Sequence, residues 1–568
     1  MAEPSGRLEL TWTNKLQRLL AHEDDSYEWV PPSDYRVAEV RLLNDAGTAG
    51  DVHDDAERAK DNLLIRGDAL SALTSLIKIP EFRDEYVGNV KLAYLDPPFN
   101  TGEIFPNYSD ALEHSVWLTV MRDRLLQIKK LLAKNGSVWV HCDDYEQHRV
   151  RCVLDEVFGA GAFVATILWQ KRYSRDNRPA IGPVHDFIHV YAPLGTDWKK
   201  VRNRIPRVSA KEYRNPNNDP NGLWRPIPLD AQAGHATEAQ FYDIVTPGGA
   251  VHPPPKGRCW SVTKPRFDEL AAEGRVYFGL NGRGKPNLIR YLKDDEGLVP
   301  WTWWPHEEVG HNDESKKEIL TLFPDHEPFD TPKPERLMHR IVHIASEPDD
   351  IVLDAFAGSA TTAAVAHKMG RRWVTVEWKR ETIETYAAPR LMRVVRGDDP
   401  GGITEEIDWA GGGGFRVLDV APSMFADDAG HVVLADWAVN GALAEATAAQ
   451  FGFAYDIELL PFCGRKGRTR LAVVDGLVNE DVARLLVEQL PEDEMVVLCG
   501  TMIDPAAQQV LAAARKGSRL RKIPDSILAD YRRGHHLWWE RRMADLLDLS
   551  ENGESAEREP AVEESVQA

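Results

Sequence analysis

The chain has 568 residues, of which 43% are hydrophobic and 28% charged. That apolar content supports several packed cores at roughly 150 residues per domain, and it excludes a disordered, collagen-like or membrane-spanning class for the whole. The formal net charge is −21, which taken alone argues against a partner built of phosphates.

The start, MAEPSGRLELTW, lacks a basic region followed by an apolar run, so a cytoplasmic protein without membrane attachment is expected. Residues 1–60, with the amphipathic TNKLQRLLAH, read as an arm or docking segment. From 61 to 170, short β-rich runs alternate with helical spacing. LLIRGDAL turns from strand to helix, VKLAYL is a strand, SVWLTVMRDRLLQIKKLLAK is helical, SVWVHC is a strand, and YEQHRVRCVLDEVF is helical. Such alternation predicts βαβ units and a parallel sheet. The same grammar returns from about 335, with DIVLDAF and RRWVTVEW as strands between helical segments.

Between these halves, 171–300 is rich in Pro, Gly, Asn and Trp. It carries 21 Lys and Arg against 14 Asp and Glu, a net of +7, which leaves −28 on the remainder. Its densest part begins with Lys171, Arg172, Arg175 and Arg178 and interleaves Tyr173 and Tyr191, a pattern suited to neutralising phosphates and stacking on bases. A solvated face is the plainer reading of the same charges. GDDPGGITEEIDWAGGGGF marks a linker, 415–549 reads as a further α/β region without a catalytic constellation, and 550–568 is an acidic tail. The five cysteines contain no CxxC pair, so neither a disulfide framework nor a zinc site is expected.

Two motifs carry chemistry. In LAYLDPPFNTG a strand ends in Asp96, followed by Pro97, Pro98 and Phe99, at the carboxyl end of a parallel strand where α/β folds hold their ligands. Asp96 and the Pro97 carbonyl could accept both hydrogens of an exocyclic amino group on a base, and Phe99 could stack on that base once it leaves its duplex. A stiff Asp-Pro turn is the alternative. In DIVLDAFAGSATTAAVAHKMG a strand ends at Asp354, and the small residues Ala357, Gly358, Ser359 and Ala360 let a ligand approach the backbone. Glu377 closes the next strand, where a carboxylate can hold ribose hydroxyls. Neither GxGxxG nor GxxxxGK[ST] is present, and no Pro-Cys pair offers the nucleophile of a C5-cytosine enzyme. His141, Asp143 and Asp144 lack a third spaced ligand and read as loop residues, and the Trp301, Trp303, Trp304 and His306 cluster reads as core packing or a stacking surface.

DPPFNTG ahead of FAGSATT, with a long insert between, resembles the β-class amino-group DNA methyltransferases, most of all the modification subunits of type III restriction systems. The similarity also covers LLIRGDAL, LLAKNGSVWVHCDDYEQHRVRCVLDEVFG and FDTPKPERLMHRIV, about half the chain. The resemblance implies a circularly permuted, Rossmann-like α/β methyltransferase fold with an inserted target-recognition domain and a C-terminal α/β region. The parts are then an arm (1–60), a catalytic half (61–170), the insert (171–300), a cofactor half (301–398), a linker (399–414), a C-terminal domain (415–549) and the tail. It implies Asp96, Pro97, Pro98 and Phe99 as the catalytic tetrad, and Asp68, Lys333, Asp354, Phe356, Ala357, Gly358, Ser359 and Glu377 around S-adenosylmethionine, with no metal. Phe99 replaces the commoner Tyr, and Ala360 stands where a second glycine is usual. The implied activity is N6-adenine methylation of double-stranded DNA, with N4-cytosine methylation or a non-catalytic DNA-recognition subunit as alternatives. A homodimer and a separate restriction subunit are the implied partners.

Overall fold

A computed structural model of the chain describes residues 9–22, 26–100, 104–105, 108–109, 113–175, 179–206, 213–327 and 329–534. Two compact units emerge, one formed by 1–203 together with 301–568 and the other by Arg204–Pro300.

The first unit is built on a ten-stranded sheet. Its strands are β1 (Leu43–Gly50), β2 (Asn62–Arg66), β3 (Val90–Leu95), β4 (Leu132–Cys142), β5 (Phe163–Gln170), β6 (His185–Tyr191), β7 (Trp303–Trp304), β8 (Ile351–Asp354), β9 (Arg372–Glu377) and β10 (Gly414–Val420). Their spatial order is β7-β5-β6-β4-β3-β8-β9-β2-β10-β1. The run from β4 to β10 is parallel, whereas β6 and β1 pair antiparallel with their neighbours. VKLAYL and IVLD are buried along almost their whole length because the central strands are covered on both faces, which is why they read as continuous apolar runs. Helices α1 (Ala69–Lys78), α2 (His114–Leu131), α3 (Gln147–Phe158), α4 (Glu335–Ala345), α5 (Thr361–Lys368) and α6 (Ala388–Arg396) provide that cover. The core on one side gathers Leu73, Leu76, Trp117, Met121, Leu125, Val153 and Leu154 against the sheet.

Three boundaries differ from the sequence reading. Residues 43–50 are not part of a loose arm but an edge strand of the main sheet, and Arg18–Ala21 is a strand paired with Tyr27–Val30. The segment 171–203 belongs to the first unit, because β6 completes hydrogen bonding between β4 and β5. Seven of the Lys and Arg residues in the dense basic stretch therefore lie outside the inserted unit. The linker leads directly into β10, so the C-terminal region begins inside the main sheet. Beyond it, a five-stranded sheet whose last three strands are parallel (Thr469–Val478, Met495–Ile503, Arg519–Lys522) packs on its own apolar core. The inserted unit contains a three-stranded antiparallel sheet and a small core around Leu229, Ile244, Trp260 and Phe267. No described helix is long and apolar enough to cross a membrane.

Under the carboxyl ends of the central strands lies a buried ionic network. Glu335, at the start of α4, accepts from Lys368 Nζ (2.8 and 3.0 Å), Arg390 Nη2 (2.9 Å) and the Ile403 backbone N–H (3.0 Å), and Lys368 also pairs with Asp399 at 2.6 Å. Arg390 in turn donates to Thr361 Oγ1 (2.7 Å) and the Ser359 carbonyl (3.2 Å), so the network grips the loop between β8 and α5. Burial, and then the charge of Glu335, push the neighbouring Glu318 carboxyl up to about 8. Removing one partner of a buried pair leaves an uncompensated charge, at a cost of about 3–5 kcal/mol. Glu335→Ala should lower the unfolding free energy by about that amount in urea titrations; a loss below about 1 kcal/mol would mean that the network carries little stability.

Candidate active site

Strands β3 and β8 are parallel neighbours, with Ala93 opposite Leu353 and Tyr94 opposite Asp354. The chain therefore leaves both strands on the same edge and at the same height, and the loops that begin at Asp96 and Ala355 face one cavity. Strand β9 adds Glu377 and β2 leads to Asp68 on that edge. The cavity measures about 920 Å³ and is lined by Asp68, Asp96 to Phe99, Phe356 to Ser359, Lys333 and Glu377.

On one side, Asp96 binds the Lys333 ammonium through Oδ2, while its Oδ1 is buried and has no hydrogen-bond donor among the described residues. Lys333 is only 7% exposed and its Nζ also lies 5.2 Å from the centre of the Phe99 ring. The Pro98 carbonyl accepts from Trp117 Nε1 at 2.6 Å, which ties the proline turn to α2. Asn100, at φ 63°, donates to the fully buried Glu146 at 2.7 Å, and Glu146 is also held by His114 and Arg149. Behind Phe99 is the His141 ring, 5.5 Å away and tilted by 34°, backed in turn by the edge contact of Trp169 at 5.3 Å. His141 Nδ1 is 2.8 Å from the Tyr94 hydroxyl and its Nε2 is 3.4 Å from Asp186. Burial pulls His141 below the usual imidazole range. Against the cost of burial, the contact with His141 and the charge of Lys171 hold Asp186 below the usual carboxylate range.

On the other side, Asp354 Oδ1 accepts from the Phe356 N–H at 2.9 Å, and burial pushes its carboxyl up to about 7. Glu377 joins the loop after β8 to the loop after β9, accepting from the N–H groups of Gly358 (2.9 Å), Trp378 and Lys379 (both 3.0 Å). Burial raises its carboxyl as well. Gly358 has φ +50°, and a Cβ there would meet the Phe329 ring at 3.3 Å, so the loop is kept bare against its neighbour. Ala360 takes the left-handed conformation, φ 59° and ψ 33°, that a glycine would adopt without strain. Asp68 caps α1 through the Ser71 N–H (2.9 Å) and accepts from Arg124 (2.8 Å), and Arg124 lies over the Phe356 ring at 5.7 Å.

The twelve expected catalytic and cofactor residues thus line one cavity. The expected nucleic-acid contacts divide differently. Lys171 is turned inward, paired with the buried Asp186 at 2.6 Å, while Arg172 and Arg175 are exposed and Arg178 lies outside the described residues. Trp304 is fully buried, whereas Trp301 and Trp303 are exposed. Asp143 accepts from the Tyr145 N–H, and among the described residues no cluster of three His, Cys, Asp or Glu side chains is placed to hold a metal ion. The pairing of Lys333 with Asp96, the His141 ring behind Phe99 and the Arg124 clasp on Asp68 join residues from distant segments and had no local sequence signal.

A cavity of about 920 Å³ at the carboxyl ends of a parallel sheet, bordered by a bare small-residue loop and a strand-end carboxylate, defines a Rossmann-like α/β ligand-binding class. Residues 90–388 match the family model described as DNA methylase, N6_N4_Mtase, and the chain belongs to that family. It is 34% identical over 332 residues to the type III restriction-modification enzyme StyLTI Mod subunit of Salmonella typhimurium, covering 53% of this chain and 49% of that protein. It is 28% identical over 429 residues to the probable HindVI Mod subunit of Haemophilus influenzae, covering 65% and 55%. It is 42% identical over 321 residues to the DNA adenine methyltransferase YhdJ of Escherichia coli, covering 56% and 80%. The chain thus spans about half the length of the two Mod subunits.

Because Glu377 locks both loops through three backbone N–H groups, Glu377→Gln should release at least one of them, at a cost of about 1–3 kcal/mol. Hydrogen exchange should then speed up at the Gly358 amide; unchanged protection there would show that the loop is held by other contacts.

Proposed function

We propose that the chain transfers a methyl group from S-adenosylmethionine to the N6 amino group of adenine in double-stranded DNA, as the modification component of a restriction-modification system that also employs a separate restriction subunit. The observation that carries this reading is Asp96, with one oxygen clamped by Lys333 and the other buried, without a donor among the described residues, beside an aromatic face. A buried acceptor lacking its donor is costly, and an amino group seated on Phe99 would supply that donor. The relatives whose names specify type III modification and adenine methylation support the choice of system and base.

The cavity suits the methyl donor. Carboxylates of Asp68, Asp354 and Glu377 favour a cationic ligand, the Phe356 ring offers an apolar wall, and the bare loop at Gly358 permits close backbone approach. Asp68 and Glu377 retain acceptor capacity, since each carboxylate offers about four lone-pair sites. Asp68, Phe356 to Ser359, Glu377 and Lys333 would hold the cofactor, which supplies a sulfonium-bound methyl group as the electrophile.

The protein's own contribution is placement and polarisation. Lys333 fixes the Asp96 carboxylate so that Oδ1 accepts one amino hydrogen, and the Pro97 carbonyl accepts the other, which localises the nitrogen lone pair for in-line attack. Trp117 holds the Pro98 carbonyl and stiffens this turn. Phe99, backed by His141, presents a fixed face to the ring of the base. With the methyl group passing from the donor's sulfur to the amino nitrogen, that nitrogen would shed one proton, for which Asp96 is the acceptor nearest to hand.

Asp96→Ala should retain binding of S-adenosylhomocysteine by calorimetry and lose tritiated methyl transfer to DNA by about 10²- to 10³-fold or more; equal transfer by mutant and parent would overturn the assignment. The pH dependence of cofactor binding gives a second test. Asp354 is neutral below about 7 and ionised above it, so a cation seated beside it gains attraction as pH rises. Affinity for S-adenosylmethionine should increase about tenfold from pH 6 to pH 8, that for S-adenosylhomocysteine, which lacks the sulfonium charge, much less, and Asp354→Asn should flatten the difference. Equal pH profiles for the two ligands would place the sulfonium away from Asp354.

A further inference from the structure

Beside residues that line the cavity, three rings cluster in a triangle on the first unit. Tyr173, 60% exposed, stacks on His306 (5.8 Å, 27°) and leans on His311 (5.2 Å, 40°), and the two histidines stack on one another (5.4 Å, 25°). The cluster is firmly mounted. Its two segments are joined by the pairing of β5 with β7, by Trp169 Nε1 to the Gly310 carbonyl (3.0 Å), by the Asn312 N–H to the Lys171 carbonyl (3.1 Å), and by His306 Nδ1 with Gln170 Oε1 at 3.1 Å. It also adjoins the site, because Lys171 and Arg172 before Tyr173, and Asn312 and Lys316 after His311, line the cavity itself.

We infer that Tyr173, His306 and His311 form a stacking platform for the DNA strand next to the extruded target nucleotide. The inference rests on the proposed reaction and adds to it the surface that receives the flanking bases. The exposed Tyr173 ring, braced by the half-buried rings of His306 and His311, offers the flat π face that an unpaired base requires, and every base has such a face whatever its identity. The exposed Arg172 and Arg175 lie on the Tyr173 side and suit the phosphates of that strand. Glu307, 3.2 Å from His306 Nδ1, and Glu314, paired with Arg336 and 3.8 Å from His311 Nδ1, give the histidine side an acidic border, so the backbone is expected to run along the arginines. A nucleotide drawn out of a duplex leaves its neighbours partly unstacked, and a platform beside the cavity offsets that loss.

The test uses the full chain, fluorescence anisotropy and a labelled oligonucleotide of about 20 thymidines, with a duplex alongside. Tyr173→Leu should weaken single-strand binding about tenfold, as expected for loss of one stacked base. Tyr173→Phe should keep the parent affinity. Stacking releases no counterions, so Tyr173→Leu should leave the salt slope intact, whereas Arg175→Gln should reduce it by about 0.7. Unchanged thermal melting and S-adenosylhomocysteine binding establish that the variants fold. If the parent binds and methylates DNA and Tyr173→Leu binds equally well, the platform is overturned while the proposed reaction stands. A parent that neither binds nor methylates DNA overturns both. Unchanged DNA affinity with an altered sedimentation coefficient for Tyr173→Leu would reassign the surface to contact between copies of the chain, also against the inference.

Discussion

The parallel pairing of Val90–Leu95 with Ile351–Asp354 is the constraint on which the site depends. Two chain segments separated by the whole inserted unit leave adjacent strands at the same edge, so the Asp96 turn and the Phe356–Ser359 loop share a cavity. A slip of one residue in that register would reverse the face of every side chain in one strand and carry Asp96 or Asp354 out of the shared cavity. Asp96 and Asp354 owe their burial, and hence much of their chemistry, to this placement.

Around that frame, charged groups do two kinds of work. Some are structural: Glu335, Arg390 and Lys368 hold the cofactor-side loop from beneath, and Glu377 clamps it from the side. Others are set against the reaction. Lys333 occupies one oxygen of Asp96 and leaves the other without a donor among the described residues, a half-satisfied state that an incoming amino group would complete in the proposed reaction. His141 and Asp186 show how far the support extends. Lys171, which charge counting alone would give to DNA, instead neutralises a carboxylate buried behind the Phe99 ring.

Much of this was legible in the chain. Each half of the sheet announced itself by period and apolar runs, and DPPF and FAGS were recognisable because their chemistry sits in contiguous residues. What escaped was whatever depends on the third dimension. Residues 185–191 carry no mark that they close a gap in the sheet rather than begin an insert, since an antiparallel strand buried between two others looks like any other short β run. The segment around TNKLQRLLAH has helical spacing, yet Arg18–Ala21 forms a hairpin strand, because pairing with Tyr27–Val30 outweighs local propensity. Ala360 was a doubtful departure from a glycine, and the fold holds it in the left-handed conformation all the same, with burial on all sides to stabilise the strain. The whole-chain charge of −21 concealed a basic strip that belongs mostly to the first unit rather than to the insert.

The most direct test of the central claim reads the product in DNA. Single-molecule sequencing of genomic DNA from cells with and without this gene should reveal N6-methyladenine at one short recurring sequence, present only when the chain is produced. N4-methylcytosine at such a site would contradict the choice of base, and DNA without any gene-dependent modification would contradict the account of Asp96 as the seat of a target amino group.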